Sequence, residues 1–350
     1  MIPIIIPSYE PDERLIALLK DLDANTEEPV IIVNDGSDEK YNPLFEESEA
    51  IIKKHGGFLL IHEVNKGKGR ALKTAFQAVI DRFPDAIGSV TADSDGQHSV
   101  ECIKAVSAKL EETRNNLILG VRNFDMDNVP WKSRAGNKIT EKVFAYVAGV
   151  HVTDTQTGLR GIPLAFMKEL IDVKGERFEF ETRMLLEAGP YPVLEVPIKT
   201  IYDSKENHQS HFNPFKDSIK IYKILGAKFL KFIFASLSSS LLDLLLFGVL
   251  CFFLKPHLGS YIVISTVVAR VLSATYNYII NYKLVFNSRK QVAISAGKYV
   301  ILAIVQMCCS AVLVTLACHF ITVIPEVIIK AIIDMILFFI SYHIQQKYVF

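Results

Sequence analysis

The chain has little cysteine, and its cysteines are not arranged for the usual uses. Of five in 350 residues, Cys251, Cys308, Cys309 and Cys318 fall in apolar surroundings late in the sequence. Their spacing suits neither a metal site nor a disulfide framework, so they read as small apolar residues in a reducing or lipid setting. An excess of one charge is also missing. Lys+Arg and Asp+Glu are both 38, which removes the basic surface expected of a nucleic-acid partner. Met1–Pro7 is too short and lacks the basic start of a signal peptide, and it reads as a first buried strand. What the chain does have is apolar residues, 50% of the total, unevenly spread. Most charges precede about residue 231, and the long apolar runs follow it.

Before residue 200, short apolar runs alternate with amphipathic stretches. Ile2–Ile6, Val30–Val33, Phe58–Ile61, Ile87–Thr91 and Leu117–Val121 predict strands. Asp12–Leu22 has helical spacing, and Lys66-Gly67-Lys68-Gly69 opens a helix running to Ile80. This order implies an α/β fold with a mostly parallel sheet and helices on both faces. Ligands of such sheets bind beyond the carboxyl ends of the strands. Pro7-Ser8-Tyr9-Glu10, Asp35 and the pair Asp93/Asp95 all follow predicted strands, so they are expected to converge on one crevice.

Thr91-Ala92-Asp93-Ser94-Asp95-Gly96-Gln97-His98 is the most informative of these segments. Two carboxylates just past a buried strand are costly unless they bind something. A hard divalent cation held by a few carboxylates and by diphosphate oxygens is the natural candidate.

Four apolar segments, near residues 230–254, 259–282, 296–321 and 324–344, are each long enough to cross a hydrocarbon core. The short connectors predict antiparallel hairpins. Lys216, Lys220, Lys223, Lys228 and Lys231 precede the first span, and Lys283, Arg289, Lys290 and Lys298 lie between the second and third. Their positive charge places these regions, both termini and the first domain in the cytoplasm, making the chain a multi-pass protein of the plasma membrane. Tyr278-Ile279-Ile280-Asn281-Tyr282-Lys283-Leu284-Val285-Phe286 repeats as Tyr342-His343-Ile344-Gln345-Gln346-Lys347-Tyr348-Val349-Phe350, which implies two copies of one helical hairpin. Asp243, Arg270, Asn277, Asn281 and Asp334 lie within the spans. Such residues usually face a bundle interior, where either acid can pair with Arg270 or guide a polar head across the bilayer.

Five motifs in this order resemble those of family-2 glycosyltransferases of the dolichyl-phosphate mannose synthase and bactoprenol glucosyltransferase type. They are Ile6-Pro7-Ser8-Tyr9-Glu10, Val33-Asn34-Asp35-Gly36-Ser37, Asn65-Lys66-Gly67-Lys68-Gly69, Asp93-Ser94-Asp95-Gly96-Gln97-His98 and Asp154-Thr155-Gln156-Thr157-Gly158-Leu159-Arg160. The tail resembles the GtrA-like four-span family. The resemblance implies a glycosyltransferase domain of GT-A type over 1–210, a juxtamembrane interfacial segment over 211–230, and a four-helix membrane domain over 231–350. It implies that Asp95 binds Mg²⁺ or Mn²⁺ directly, with Asp93 and Gln97 close by. For a uridine diphosphate sugar, Asp35 and the Pro7/Tyr9 segment can meet the uracil ring, and Glu10 a ribose hydroxyl. Asn34-Asp35-Gly36-Ser37 also suits a plain turn. Lys68 and its glycines suit a phosphate or a solvated loop.

On the acceptor side, the resemblance implies that Arg122 and Arg134 grip a lipid phosphate, for which the guanidinium fork is suited. Arg160 is a further candidate, or only a brace for its loop. Asp154 and Gln156 are expected to shape the sugar end of the pocket, while Glu179 and Glu181 open a helix and serve its dipole. His208–Ser218 is expected to meet the bilayer, followed by a surface helix over 219–231. The expected reaction is inverting transfer of a hexose or N-acetylhexosamine from a nucleotide diphosphate sugar to undecaprenyl phosphate. An anionic phosphate oxygen attacks without losing a proton, so no strong base is needed. The Gln-x-x-Arg-Trp motif of processive synthases is missing, and the single tryptophan, Trp131, lies elsewhere. Alternatives are a translocator or scaffold for a lipid-linked sugar, or transfer to another lipid acceptor. Association into a homo-oligomer fits either reading.

Overall fold

The computed structural model describes residues 1–122, 141–146, 149, 151–199, 214–255, 261–288, 290–321 and 325–350. It divides into two units: Met1–Ala145 with Val150–Tyr222, and Tyr146–Gly149 with Lys223–Phe350.

The first unit is built on a seven-stranded sheet in the order β3-β2-β1-β4-β6-β5-β7. The strands are β1 (Ile4–Ser8), β2 (Val30–Asn34), β3 (Phe58–Ile61), β4 (Gly88–Thr91), β5 (Leu117–Arg122), β6 (Arg160–Pro163) and β7 (Val193–Ile198). Strands β1 and β2 are buried along their whole length, as central parallel strands covered on both faces must be. All neighbours pair in parallel except β6, which is antiparallel to both β4 and β5. The apolar runs of the sequence mark neither β6 nor β7 as a strand, although the motif Asp154–Arg160 leads into β6.

The orientation of β6 has a consequence for the site. The parallel strands end together, at Ser8, Asn34, Thr91 and Arg122, whereas β6 begins there, with Arg160 opposite Thr91. The loop that enters β6, residues 154–159, is therefore delivered to the same sheet edge as the loops that leave the other strands.

Helices α1 (Glu13–Asn25), α2 (Asn42–Ile52), α3 (Lys68–Arg82), α4 (Val100–Thr113), α5 (Leu164–Leu170) and α6 (Glu179–Glu187) form two groups. Helix α1 packs against α2 and α4, and α3 packs against α5 and α6. Alternate strand residues serve the two groups. Ile4, Ile6 and Ile32 join the cluster containing Leu15, Leu19, Phe45, Ile103 and Val106. Helix α1 presents Leu15, Ile16, Leu18, Leu19 and Leu22 to that core and starts at Asp12, whose carboxylate accepts the Arg14 N–H.

The second unit contains α7 (Pro214–Leu254) from Lys223 onward, α8 (Tyr261–Ile280), α9 (Val292–Phe320) and α10 (Glu326–Ile344). Among the described residues, Gly226–Leu254 and Val292–Phe320 are long and apolar enough to cross a membrane. The four expected segments thus coincide with four helices, and two of these meet that criterion. Helix α7 runs without a break through the expected boundary at residue 230. Residues 208–213 lie outside the described part.

The sequence repeat has a structural counterpart. Each copy ends in one π-helical turn, Asn281–Val285 and Gln345–Val349. Asn281 donates to Gln345 Oε1 at 3.1 Å. Phe286 and Phe350 stack at 5.0 Å, and each copy's tyrosine meets the other copy's phenylalanine: Tyr278–Phe350 at 5.6 Å and Tyr342–Phe286 at 5.8 Å. Lys283 and Lys347 are exposed at equivalent positions. Asp243 pairs with Arg270 at 3.3 Å and accepts from Ser273 Oγ at 2.9 Å. Asp334 accepts from Ser310 Oγ. Asp243 and Asp334 thus each have a partner on a neighbouring helix.

Candidate active site

The end of β2 shapes the first wall. Asn34 Oδ1 accepts from the Ser37 N–H at 2.9 Å, and the Asp35 N–H donates to the Ser8 carbonyl, which ties β2 to the end of β1. Ser37 Oγ accepts from the Glu10 N–H at 2.8 Å, and Glu10 adopts a left-handed φ of 49°. Pro7 is buried, whereas Tyr9 and Glu10 are partly exposed beyond it. Burial first, then the neighbouring Glu10 carboxylate, raises the Tyr9 phenol above its ordinary range.

Asp35 is only 3% exposed. Its Oδ1 accepts from His62 Nδ1 at 2.7 Å and the Lys66 N–H at 3.0 Å, and its Oδ2 accepts from the Gly67 N–H at 2.7 Å. The carboxylate thus fixes the loop that leads into α3. The described partners of the Asp35 carboxylate are tertiary, since they come from the end of β3 and the loop before α3, and the local turn bond is made by Asn34 instead. His62, which also meets Thr74 Oγ1 at 3.0 Å, carried no sequence signal. Gly67 is required at the entry to α3: its φ is 99°, and a Cβ would lie 2.4 Å from the Glu176 carbonyl oxygen.

Lys68, the first residue of α3, enters an ionic chain. Its Nζ lies 2.6 Å from Asp93 Oδ1 and 2.8 Å from Glu181 Oε1. Glu181, on α6, is 3% exposed. It does more than serve a helix dipole, and its role was hidden because 113 residues separate it from Lys68. Burial works against the charge on Lys68, but Asp93 and Glu181 outweigh it and hold the ammonium above its ordinary range. Burial likewise works against the Asp93 charge, yet Lys68 and His98 hold that carboxyl far below the usual range. His98 Nε2 is 3.5 Å from Asp93 Oδ2.

Asp95 contrasts with its neighbour two residues away. Its described hydrogen bond comes from the Gln97 N–H at 3.1 Å, and among the described residues no cationic side chain pairs with it. Burial, then repulsion from Asp93, raises its carboxyl. A half-buried carboxylate short of positive charge fits a hard divalent cation. No group of three His, Cys, Asp or Glu side chains among the described residues is arranged around a metal. A cation on Asp95 and Asp93 would complete its shell with Gln97, phosphate oxygens or water.

The loop entering β6 closes the crevice against these acids. Gly158 has no room for a side chain, because a Cβ would sit 2.2 Å from Asp93 Oδ2. Its carbonyl accepts from Thr91 Oγ1 at 2.8 Å, and Thr157 Oγ1 donates to the Gly120 carbonyl at 2.6 Å. Arg160 is the brace of this loop and not a free phosphate ligand. It is 1% exposed and donates to the carbonyls of Thr157, Thr155 and Glu181 at 2.9, 3.1 and 2.8 Å. Asp154 is fully buried and takes Arg122 in a fork, from Nε at 2.6 Å and Nη2 at 3.0 Å. Arg122 is thereby oriented at the end of β5 and remains partly exposed. Gln156 Nε2 reaches the Thr155 carbonyl at 3.3 Å and Thr182 Oγ1 at 3.4 Å. Arg134 and Trp131 lie outside the described residues.

Comparison with known proteins follows the division of the chain. Residues 4–170 match the family described as Glycosyl transferase family 2. Residues 231–350 match the family described as GtrA/DPMS, transmembrane domain. An uncharacterized protein of Methanocaldococcus jannaschii is 29% identical over 205 residues, which are 57% of this chain and 81% of that protein. A UDP-N-acetylglucosamine–dolichyl-phosphate N-acetylglucosaminyltransferase of Methanococcus voltae is 28% identical over 218 residues, 58% of this chain and 86% of that enzyme. A solved mannosyltransferase of Pyrobaculum calidifontis, in complex with GDP-Man and Mn²⁺, aligns over 99% of this chain and 87% of its own at a TM-score of 0.41 and 12% identity.

Proposed function

We infer that this chain, which belongs to glycosyltransferase family 2 through residues 4–170 and to the GtrA/DPMS transmembrane family through residues 231–350, transfers one hexose or N-acetylhexosamine from a nucleotide diphosphate sugar to a polyprenyl phosphate. The observation that carries the reading is Asp95, a partly buried carboxylate without a cationic partner among the described residues, placed where the strands of a nucleotide-sugar fold end. A relative named for a UDP-linked donor and a dolichyl-phosphate acceptor supports a uridine nucleotide and a lipid phosphate.

In this reading Asp95, with Asp93 and Gln97, holds Mg²⁺ or Mn²⁺, which when bound offsets charge building on the departing diphosphate. Pro7, Tyr9 and Glu10 line the nucleoside end near the loop into α3 that Asp35 fixes, and Lys68 faces the phosphates. Arg122, held by Asp154, presents its guanidinium to the acceptor phosphate, and Arg134 serves the same anion. The acceptor oxygen is already anionic at neutral pH. The protein's task is therefore alignment and charge stabilisation, and inversion by a single displacement follows. The tail supplies four spans with the catalytic unit and both termini on the cytoplasmic side. The product is a lipid-linked sugar for decoration of cell-surface glycans.

The test is radiolabel transfer in membranes that contain the full chain. UDP-glucose, UDP-N-acetylglucosamine and related donors are each offered with undecaprenyl or dolichyl phosphate and Mn²⁺ or Mg²⁺. Chloroform-soluble label that is lost in Asp95→Asn is the expected result. Absence of a lipid-linked product with every donor, from folded protein, overturns the reading in favour of translocation or another acceptor.

A further inference from the structure

The ionic chain Asp93–Lys68–Glu181 contains one more carboxylate than a lysine anchored by Asp93 needs. Glu181 is buried on α6, where an unpaired carboxylate would be strongly unfavourable. We propose that Lys68 is an internal competitor for the divalent cation: in the donor-free site it neutralises Asp93, and Glu181 is the positioning residue that retains its ammonium when the cation displaces it. The proposal rests on the reading of Asp93 and Asp95 as the cation-binding carboxylates.

Three observations carry it. The Lys68 ammonium lies 2.6 Å from Asp93 Oδ1. A second cation brought to that carboxylate is repelled at short range in a partly desolvated site, so the two compete. The backbone of Lys68 is fixed, because the preceding Gly67 N–H is held by Asp35 and the helix starts at Lys68 itself. Displacement is therefore limited to swinging the side chain. Glu181 is held in place to receive it: the Glu181 carbonyl accepts from Arg160 Nη1 at 2.8 Å, and its Oε1 already lies 2.8 Å from Lys68 Nζ. Cation entry then releases Lys68 from Asp93 while keeping it inside the site, where the donor's phosphates arrive. Metal and nucleotide binding become mutually favourable through this lysine, since whichever arrives first removes part of the cost of the other.

The test is a Mn²⁺ titration of the full chain in detergent without donor, read as free Mn²⁺ by electron paramagnetic resonance. Lys68→Met is expected to tighten donor-free Mn²⁺ binding about tenfold while weakening UDP binding at saturating Mn²⁺. Glu181→Gln is expected to weaken Mn²⁺ binding severalfold in the otherwise native chain, and to lose most of that effect when combined with Lys68→Met. Lys68→Gln, with thermal unfolding followed in parallel, serves if the methionine variant does not fold. Unchanged or weaker Mn²⁺ affinity in the folded Lys68 variants overturns the competition. An equal Glu181→Gln effect in both backgrounds overturns the anchor. Asp95→Asn separates the two levels of inference. If the native chain binds no Mn²⁺, or Asp95→Asn binds it as well as the native chain does, the metal-site reading itself falls and the competition with it.

Discussion

The two units pair their buried polar groups in opposite ways. In the membrane unit, polar side chains pair with one another across a repeat, although Asn281 Oδ1 is buried without a hydrogen-bond partner among the described residues. Asn281 donates to Gln345 and also to Asn277 at 2.7 Å, and Asn277 accepts from Tyr299 at 3.1 Å. In the sheet unit, polar groups from distant parts of the chain are gathered at one edge. There Asp93 is neutralised by Lys68, but Asp95 beside it has no such partner among the described residues. Polar groups paired side chain to side chain between helices support a structure. A carboxylate left short of charge at a strand end is a place for a ligand. This contrast supports the proposal that Asp95 is available for chemistry.

The sharpest way to break this comparison is Asp95→Asn. Under the proposed function, lipid-linked product is expected to fall by about a thousandfold or more, because the proposed cation site loses its main carboxylate. Stability moves the other way. A carboxyl raised in the folded state costs stability once it is ionised, so at pH 7 the donor-free variant is expected to melt about 1–3 °C higher. A lower melting temperature would show that Asp95 is a structural acid after all.

Gly158→Ala comes next. Its Cβ must push the Asp93 carboxylate, 2.2 Å away, and a displacement of that size is expected to reduce transfer by about a hundredfold. Native activity in this variant would place Asp93 outside the reaction.

The pH dependence of stability tests the ionic chain. The Asp93 carboxyl is depressed in the folded protein. Its stabilising contribution is therefore present above the ordinary aspartate value of about 4 and is lost as pH falls below that toward the folded value. Unfolding midpoints of the native chain are expected to drop over that acid range more steeply than those of Asp93→Asn. Parallel curves would remove Lys68–Asp93 from the stabilising contacts.

The smallest effect is expected in the membrane unit. Asn281→Ala and Gln345→Ala should each destabilise it by about 1 kcal/mol, with a coupling of roughly 0.6 kcal/mol in the double variant and transfer activity retained. Loss of activity without loss of stability would show that the membrane network also takes part in the reaction.

Much of the site was legible because strand ends are marked locally. Apolar runs followed by Pro7-Ser8-Tyr9-Glu10, Asn34-Asp35-Gly36-Ser37 and Asp93-Ser94-Asp95 identify both the strand and its terminal loop. In a parallel sheet these loops share an edge. Other features carried no local mark. Arg160 resembled a phosphate ligand by type and position, and only its burial and three backbone carbonyl acceptors show it to be a brace. Glu181 looked like a helix-opening acid because its partner, Lys68, is remote in sequence. His62 sits just past a strand and gained its partners, Asp35 and Thr74, only through packing. The repeated tail was visible as a pattern, but not the π-helical turns or the Asn281–Gln345 bond.

The sequence by itself determined the division into a charged α/β part and an apolar helical part, since apolar periodicity and charge placement are properties of neighbouring residues. It also determined which acids end the strands. The tertiary structure alone decided which of those acids is neutralised. Strand β6 runs antiparallel between β4 and β5, so it brings the 154–159 loop and Arg160 back to the strand ends. The packing of α3 against α6 sets Lys68 between Asp93 and Glu181. Charge compensation depends on distances of a few ångströms between segments far apart in the chain, and only folding sets those distances.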